Sequence, residues 1–202
     1  MKDGLFITFE GADGCGKTTQ ITLLNEYFNK AGKKTLLTRE PGAGILGAKI
    51  RELLLNYDGE VSPNCESFLF LADRAQHVDC MIKPALAEGT IVLCDRYTDS
   101  TLAYQGFGRE LDIDRIKYLN KLATGGLRPD LTIVFDVDVE TSLSRVGGSK
   151  DRMESAGVEF FNRVRNGYLT IAKQEPDRVK VIDSSDTIEN VHKKVVELVE
   201  SL

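Results

Sequence analysis

A segment near the N-terminus has the residue types and the spacing that bind phosphate. Residues 11–18 read GADGCGKT and fit the pattern G-x-x-x-x-G-K-[ST]. The glycines allow backbone N–H groups to turn towards phosphate oxygens, and a helix that begins here adds its partial positive charge. Lys17 can reach the outer phosphates, and Thr18 can place its hydroxyl on a bound Mg²⁺. The segment predicts a site for a nucleoside triphosphate; the alternative is a glycine turn with an exposed lysine.

A second group of polar residues follows an apolar run in the middle of the chain. Asp95 and Arg96 come directly after the run at 90–94. A carboxylate at this point can orient Mg²⁺ or its waters, and an arginine in an apolar crevice is expected to meet anionic oxygen. Ser100 and Tyr104 follow at a spacing that places both on one face of a helix. The alternative is that Arg96 forms only an ion pair with a neighbouring acid.

An aromatic residue and an arginine share one face of a predicted helix. Phe70 can stack on a flat heteroaromatic ring while the guanidinium of Arg74 donates to the carbonyl edge of that ring. The alternative makes Phe70 peripheral core and Arg74 a solvated cation. The same helix carries an apolar stripe that is expected to face the core: Phe68, Leu71, Ala75, Val78, Ile82 and Ala85.

Residues 145–155 combine glycines with spaced cations. Gly147 and Gly148 can act as a hinge, and Arg145, Lys150 and Arg152 supply positive charge. Such a segment suits a mobile lid that excludes water and brings cations to a transferred phosphate. The alternative is an ordinary polar loop.

Strand-like and helical segments alternate around these residues. Ser62 and Asp138 are expected to begin helices as N-caps, and Asp186 with Glu189 resembles a capping box for the last helix. Five apolar runs predict strands: 5–9, 34–38, 90–94, 131–135 and 179–182.

Continuous apolar strands that alternate with helices indicate a parallel sheet covered on both faces. We therefore predict an α/β protein, a single domain over residues 1–202, with a three-layer α/β/α P-loop NTPase fold, a five-stranded parallel sheet and a short lid. In such sheets ligands bind at the carboxyl ends of the strands. Asp13, Arg39, Asp95 and Asp136 follow strand ends, so we expect them to converge on one crevice.

Composition and charge limit the classes of protein to which the chain can belong. The 202 residues carry a formal net charge of −5, which gives no electrostatic reason to expect a nucleic-acid partner. The N-terminus shows no signal pattern, and no apolar run approaches the roughly 18 residues of a membrane span. We therefore expect a soluble, cytoplasmic protein with no membrane partner. The four cysteines show no C-x-x-C or zinc spacing, so free thiols are expected.

Together these segments resemble the thymidylate kinase family, and the likeness covers essentially the whole chain in order. It is carried by the phosphate loop, by Phe70 with Arg74, and by the segments at 38–42 (TREPG), 95–100 (DRYTDS), 103–106 (AYQG) and 128–131 (RPDL). The resemblance implies phosphorylation of dTMP by ATP to give dTDP for dTTP biosynthesis, with Mg²⁺ as the metal. Family members are usually homodimers, so a homodimer is implied for this chain.

The resemblance also implies a set of site residues. ATP would be bound by Gly11, Ala12, Asp13, Gly14, Cys15, Gly16, Lys17, Thr18 and Thr19, and the metal by Thr18 and Asp95. The expected dTMP-binding residues are Asp13, Arg39, Glu40, Phe70, Arg74, Arg96, Ser100, Tyr104, Gln105 and Tyr168. The expected catalytic residues are Lys17, Asp95, Arg96, Arg145 and Lys150.

Some members of that set have a more specific implied role. Asp13 would face the sugar 3′-hydroxyl, Arg39 and Arg96 would grip the dTMP phosphate, Phe70 would stack on thymine, and Tyr104 would crowd the 2′ position.

The phosphate loop departs from one branch of the family, which places an arginine there. This chain is therefore expected to supply catalytic cations from the lid, with Lys150 or Arg145 as the favoured candidates.

Two other functions stay open from the sequence. A kinase for another nucleotide or small metabolite would keep the loop and the lid but would not need Phe70, Arg74 and Tyr104 together. A P-loop switch or motor that hydrolyses ATP or GTP would show guanine-selective motifs or oligomer-supplied arginines, and the chain shows no such guanine motif.

Overall fold

A sheet of parallel strands forms the centre of the fold. The computed structural model describes residues 4–145 and 157–202, and its sheet has five strands in the order β2-β3-β1-β4-β5. Every neighbouring pair is parallel, which confirms the predicted α/β architecture. The strands are β1 (Phe6–Glu10), β2 (Thr35–Arg39), β3 (Ile91–Asp95), β4 (Leu131–Asp136) and β5 (Val179–Asp183).

Four polar residues that follow the predicted apolar runs belong to the strands themselves: Glu10, Arg39, Asp95 and Asp136 are each the last residue of a strand. Glu10 pairs in register with Val134, and Arg39 pairs in register with Asp95. The apolar runs alone predicted strand ends one residue too early, because a polar residue at the carboxyl edge still takes part in the backbone ladder. The sheet itself therefore positions the first residues of the candidate site.

Helices cover both faces of the sheet. They are α1 (Lys17–Lys30), α2 (Gly44–Asn56), α3 (Pro63–His77), α4 (Lys83–Ala87), α5 (Thr98–Thr101), α6 (Ile113–Thr124), α7 (Val139–Arg145), α8 (Val158–Gln174) and α9 (Ile188–Glu200). On one face, Ile7 and Phe9 of β1 pack with residues of α1 and α9. On the other, Phe6 of β1 packs with Val78 and Ile82, and Val134 of β4 packs with α8.

Two of the predicted helices contain a π-helical segment. Val78–Ile82 joins α3 to α4, and Leu102–Gly108 continues α5. A π turn holds an extra residue per turn and is frequent at functional sites. The second segment carries Tyr104 and Gln105, two of the predicted substrate-binding residues.

The apolar stripe predicted along α3 and the segment after it is only partly correct: Leu71, Val78 and Ile82 are buried in the core. Phe68 was expected in the core but is exposed over 59% of its surface, so this prediction is wrong. The helix also buries four polar residues that the stripe did not include: Glu66, Asp73, Arg74 and His77. Hydrophobic periodicity missed this face because its polar side chains are buried through hydrogen bonds to other elements.

Helix starts follow their predicted caps in two of three places. Ser62 accepts from the N–H of Cys65, and Asp138 accepts from the N–H of Thr141. At α9 the predicted cap Asp186 is wrong, because Thr187 is the N-cap and its hydroxyl accepts from the N–H of Asn190.

The apolar residues of the last helix are buried in its middle and exposed at its ends. Val191 and Val195 are buried, whereas Ile188 in the first turn and Leu202 beyond the last turn are exposed.

No helix among residues 4–145 and 157–202 is long and apolar enough to cross a membrane.

Candidate active site

A cavity lies beside the phosphate loop at the carboxyl edge of the sheet. It brings together residues from the phosphate loop, the turns after β2 and β3, the helices α2, α3 and α5, and the second π segment. The residues that line it are Asp13, Glu40, Pro41, Arg51, Leu55, Phe70, Arg74, Arg96, Ser100, Thr101, Tyr104 and Gln105. Most of the predicted dTMP-binding residues are in this set, although they lie far apart in the sequence.

The phosphate loop has the backbone geometry that its glycines predicted. A side chain at Gly11 would place its Cβ 2.6 Å from the carbonyl oxygen of Phe135, and the φ angle of 131° there also favours glycine. Lys17 is the first residue of α1, and its Nζ donates to the carbonyl oxygens of Gly11 at 3.0 Å and Ala12 at 2.8 Å. The lysine is therefore held along the loop at the start of the helix.

Asp13 of the loop forms an ion pair with Arg96 of the turn after β3. Nη2 of Arg96 lies 2.7 Å from Oδ1 of Asp13. Burial opposes ionisation of this carboxyl, but the charges of Arg96 and Lys17 outweigh it and lower the pKa of Asp13 to about 2. The ion pair that stood as the alternative for Arg96 is thus present. Both partners also line the cavity, so the pair is part of the site.

Arg96 has a left-handed backbone, with φ of 69°. Such a conformation is uncommon outside glycine and costs free energy, so other contacts must impose it. Its guanidinium lies 5.0 Å from the centre of the Tyr104 ring, and Nη1 donates to the hydroxyls of Ser100 and Tyr168 at 3.4 Å. These contacts aim the charge of Arg96 into the cavity.

Glu10 lies beneath this arginine and was missed by sequence reasoning. Its carboxylate is fully buried and accepts from the N–H of Tyr97 at 2.8 Å, from Ser100 at 2.5 Å and from Tyr168 at 2.9 Å. Burial, followed by the charge of Asp99, raises its pKa to about 7. The signal in the sequence was an acid at the end of an apolar strand, directly before Gly11.

Arg74 lines the cavity but is deeply buried, so its interpretation as a solvated cation is wrong. Nε donates to Glu40 at 2.7 Å and Nη2 to the carbonyl oxygen of Tyr97 at 2.8 Å. Nη1 donates to Thr101 and Asn120 at 2.6 and 2.7 Å. A guanidinium has five N–H donors, so one on Nη2 has no partner within the described part of the chain. Arg74 is fixed in place with that donor left for a ligand.

Glu40 is the carboxylate that holds Arg74. Its other oxygen lies 2.8 Å from Nδ1 of His77, whose Nε2 lies 2.7 Å from the hydroxyl of Thr38. This row of groups ties β2 to α3 under the cavity. Asp73 lies nearby and accepts from the N–H of Gly42, and burial together with Glu40 raises its pKa to about 6.

The amide of Gln105 is oriented by Glu66. Nε2 of Gln105 donates to Oε1 of Glu66 at 2.9 Å, and Arg109 donates to both oxygens of the same carboxylate. A carboxylate only accepts hydrogen bonds, so the NH₂ group of Gln105 must face Glu66. The amide oxygen is then directed elsewhere, and Gln105 lines the cavity.

Arg51 of α2 is a second site residue that the sequence did not reveal. It lines the cavity, Nη1 donates to the carbonyl oxygen of Pro41 at 2.9 Å, and its charge contributes to the low pKa of Asp13. The arginine lies on α2, on whose surface a cation usually faces solvent. The turn at 39–42 packs against this helix, since Arg51 reaches Pro41 and its side chain lies against Gly42.

The remaining predicted site residues lie in different places. The side chain of Arg39 is exposed and is not among the residues that line the cavity. Tyr168 lies behind Ser100 and reaches Arg96 from there. Arg145 is exposed at the end of α7, and Lys150 and the rest of the predicted lid lie outside the described residues. Asp136 is held by Arg165 through two hydrogen bonds and does not line this cavity.

The predicted metal ligands are compatible with a magnesium ion. Oδ1 of Asp95 is buried and has no hydrogen-bond partner within the described part of the chain. Thr18 is exposed in the first turn of α1. Carboxylate and hydroxyl oxygens are the donors that Mg²⁺ takes alongside water and phosphate. No group of three or more His, Cys, Asp or Glu side chains in the described residues could hold a metal, and water and phosphate oxygens would fill the remaining positions around Mg²⁺.

Comparisons with known proteins agree on one family. The sequence model described as Thymidylate kinase matches residues 9–195. The chain is 48% identical over 197 residues to a thymidylate kinase of Desulfovibrio desulfuricans, covering 93% of this chain and 91% of that protein. It is 49% identical over 203 residues to one from Pelotomaculum thermopropionicum, covering 98% and 94%. The crystal structure of thymidylate kinase from Ehrlichia chaffeensis is 39% identical, with a TM-score of 0.81 and 98% of each chain covered.

Proposed function

The chain belongs to the thymidylate kinase family, and we propose that it transfers the γ-phosphoryl group of ATP to the 5′-phosphate of dTMP, giving dTDP and ADP. The observation that carries the proposal is the cavity beside the phosphate loop. Arg51 and Arg96 line it together with Phe70, Arg74 and Gln105. A nucleoside monophosphate requires two kinds of group from its site. Cations bind its phosphate, and an aromatic ring with polar groups binds its flat base.

Arg96 and Arg51 bind the acceptor phosphate in this proposal. Both act on Asp13 of the phosphate loop, so they are the cavity arginines nearest to the donor site. A guanidinium suits a phosphate because its planar N–H groups match two phosphate oxygens. Arg39 adds a third cation only if its exposed side chain turns inward.

The base is recognised by Phe70, Arg74 and Gln105. Phe70 stacks on thymine, and the remaining N–H of Arg74 donates to a thymine carbonyl. The amide oxygen of Gln105 accepts from the N3–H of thymine, since Glu66 holds its NH₂ group. This arrangement favours thymine or uracil, which carry an N3–H, over cytosine, which has an acceptor there.

The sugar lies against Asp13, Tyr104 and Ser100. Asp13 stays ionised at neutral pH and can accept from the 3′-hydroxyl. The ring of Tyr104 is buried against Arg96 and crowds the 2′ position, which disfavours ribose.

Residues 11–19 hold ATP in this proposal. Thr18 and Asp95 would hold a magnesium ion, which would supply positive charge against the phosphates of ATP. Lys17 donates to the transferred phosphate after it leaves the carbonyl oxygens of Gly11 and Ala12.

Catalysis needs no strong base in this scheme, because the attacking phosphate oxygen is already largely ionised. The rate comes from holding two anionic nucleotides in line and from compensating their charge with Lys17, Arg96, Arg51 and the metal. Arg145 and Lys150 of the lid segment are the proposed further cations.

We also propose that the protein is a homodimer. Large apolar side chains are exposed on α2, α3 and α6, and these helices contact one another through α3. Leu53, Phe68, Tyr118 and Leu122 are each about half or more exposed. Exposed apolar side chains on neighbouring helices favour association with a second copy.

The function is tested by incubating the protein with ATP, Mg²⁺ and dTMP and separating the nucleotide products. The proposal predicts dTDP and ADP in equal amounts. ADP without dTDP, or dTDP formed in the absence of ATP, would contradict it.

A further inference from the structure

Glu10 is the most deeply buried acid near the candidate site, and the proposed reaction gives it no contact with a substrate. It is the last residue of β1, at the centre of the sheet, and none of its surface is exposed. A buried carboxylate is costly unless it is hydrogen-bonded. Its partners therefore show what the acid is for.

The three donors to this carboxylate come from three separate elements. Oε1 accepts from the backbone N–H of Tyr97 at 2.8 Å. Oε2 accepts from the hydroxyl of Ser100 on α5 at 2.5 Å and from the hydroxyl of Tyr168 on α8 at 2.9 Å. Glu10 thus joins the turn after β3, the start of the helix that follows it, and α8.

The backbone of Arg96 is fixed from β1 on both of its sides. The N–H of Arg96 donates to the carbonyl oxygen of Phe9 at 2.9 Å, and the next N–H, that of Tyr97, donates to Glu10. Between these two bonds Arg96 adopts its left-handed conformation. The second bond is lost if the carboxylate is removed, and the turn is then free to relax towards an ordinary conformation.

The side chain of Arg96 depends on the same carboxylate. Ser100 and Tyr168 each give their hydroxyl proton to Glu10, so their oxygen lone pairs are directed towards Nη1 of Arg96 at 3.4 Å. Nη2 is held separately by Asp13. The guanidinium thus donates to the two hydroxyls, and the two hydroxyls donate to Glu10.

We propose that Glu10 is a positioning residue, whose carboxylate fixes the backbone and the guanidinium of Arg96 for the acceptor phosphate without touching either nucleotide. The inference rests on the proposed function, because the acceptor phosphate is the ligand of Arg96 in that reaction. In this proposal β1 supports both substrate sites. It leads into the loop that binds ATP, and its last residue positions the arginine that binds the acceptor.

The test variant is Glu10→Gln, which keeps the shape of the side chain but has one acceptor oxygen and an NH₂ group in place of two acceptors. Either the Tyr97 N–H or the two hydroxyls lose their acceptor. We expect the KM for dTMP to rise at least about tenfold, because small displacements of a binding group have large kinetic effects. The KM for ATP should stay within about twofold. Burial raises the pKa of Glu10 to about 7, so the assay is run at pH 8, where the wild-type carboxylate is ionised.

Thr8→Val is the matched control. Thr8 lies on the same strand, is fully buried, and exchanges a hydrogen bond of 2.7 Å with Thr132 away from the cavity. This variant loses a buried hydrogen bond and some stability, but both KM values should be unchanged.

A double-mutant cycle with Arg96→Lys separates positioning from general damage to the fold. If Glu10 acts through Arg96, Glu10→Gln should change the dTMP KM by less than about twofold in the Arg96→Lys background. Equal increases in the KM for ATP and for dTMP, or additive effects in the cycle, would overturn the inference while wild-type dTMP kinase activity stands. Absence of dTDP with the wild type would instead reject the proposed function, and this inference with it.

If Glu10→Gln does not fold, Glu10→Asp replaces it in the same measurements. The shorter side chain keeps the charge but withdraws the carboxylate from the three donors, so the same rise in the dTMP KM is expected. An unchanged dTMP KM in Glu10→Asp would count against positioning.

Discussion

The guanidinium of Arg96 and the carboxylate of Asp13 form an ion pair, with 2.7 Å between Nη2 and Oδ1, that joins the turn after β3 to the phosphate loop. The loop binds the donor and Arg96 binds the acceptor in the proposed reaction. This contact therefore couples the two halves of the site. It also keeps Asp13 ionised well below neutral pH, because the charge of Arg96 outweighs the effect of burial on its pKa.

Asp13→Asn should lower kcat/KM for dTMP by roughly ten- to hundredfold, because a hydrogen bond between charged groups contributes about 1.5–3 kcal/mol. Steady-state kinetics with dTMP varied at saturating ATP measure the effect. Asp183→Asn is the control, since that carboxylate is exposed at the end of β5. An Asp13 variant with wild-type kcat/KM would show that the ion pair does not support the acceptor site.

Arg51→Gln should raise the KM for dTMP by about tenfold or more and leave the KM for ATP nearly unchanged. Arg51 lines the cavity and contributes to the field at Asp13, so its loss removes positive charge from the acceptor phosphate. Lys49→Gln is the matched control, because Lys49 is an exposed cation two residues earlier on the same helix. Equal effects of the two variants would mean that Arg51 acts only through overall charge.

Glu66→Gln should reduce the preference for dTMP over dCMP. Without the carboxylate, the amide of Gln105 can turn its NH₂ group towards the cavity and donate to N3 of cytosine. The measurement is the ratio of kcat/KM for the two acceptors, with the exposed Glu60→Gln as control. An unchanged ratio would show that Glu66 does not set the orientation of the Gln105 amide.

The buried carboxylate of Glu10 should make the wild type less stable relative to Glu10→Gln as the pH rises from 5 to 8. Burial raises its folded pKa to about 7 from 4.5, so between these values the folded state holds more protons than the unfolded state. Stability then falls with rising pH, by at most about 1.4 kcal/mol per pH unit, and the loss is complete above pH 7. Asp73 has a pKa raised to about 6 and therefore titrates in the same pH range. Because both proteins contain it, its contribution to stability cancels in the comparison.

Urea denaturation at pH 5, 6, 7 and 8 measures this difference. A stability difference that stays constant across the range, or that grows in favour of the wild type, would show that Glu10 is ionised in the folded protein at pH 5.

Much of the fold could be predicted because its signals are local. The five apolar runs gave the strands, and GADGCGKT at 11–18 gave the loop between β1 and α1. The spacing of Phe70 and Arg74 and the residues after β3 led to the cavity.

The parts that could not be predicted depend on contacts between distant residues. Glu10 has partners 90 and 158 positions away, and nothing near it in the sequence distinguishes it from an acid at a strand end. The buried face of α3 was predicted only in part, because Glu66, Asp73 and Arg74 are buried by hydrogen bonds rather than by hydrophobicity. Arg51 lies on a helix where a cation usually faces solvent, so only its approach to Pro41 identifies it.

The most direct test of the central claim is a comparison of acceptors in a coupled ADP-release assay with ATP and Mg²⁺. We predict that kcat/KM is highest for dTMP among dTMP, dUMP, dCMP, dGMP and AMP. The value for dUMP should follow within roughly 10- to 200-fold, because one methyl group contributes about 1–3 kcal/mol. A higher kcat/KM for another monophosphate would contradict the assignment of Phe70, Arg74 and Gln105 to thymine. ADP release that does not depend on any acceptor would contradict the acceptor cavity itself.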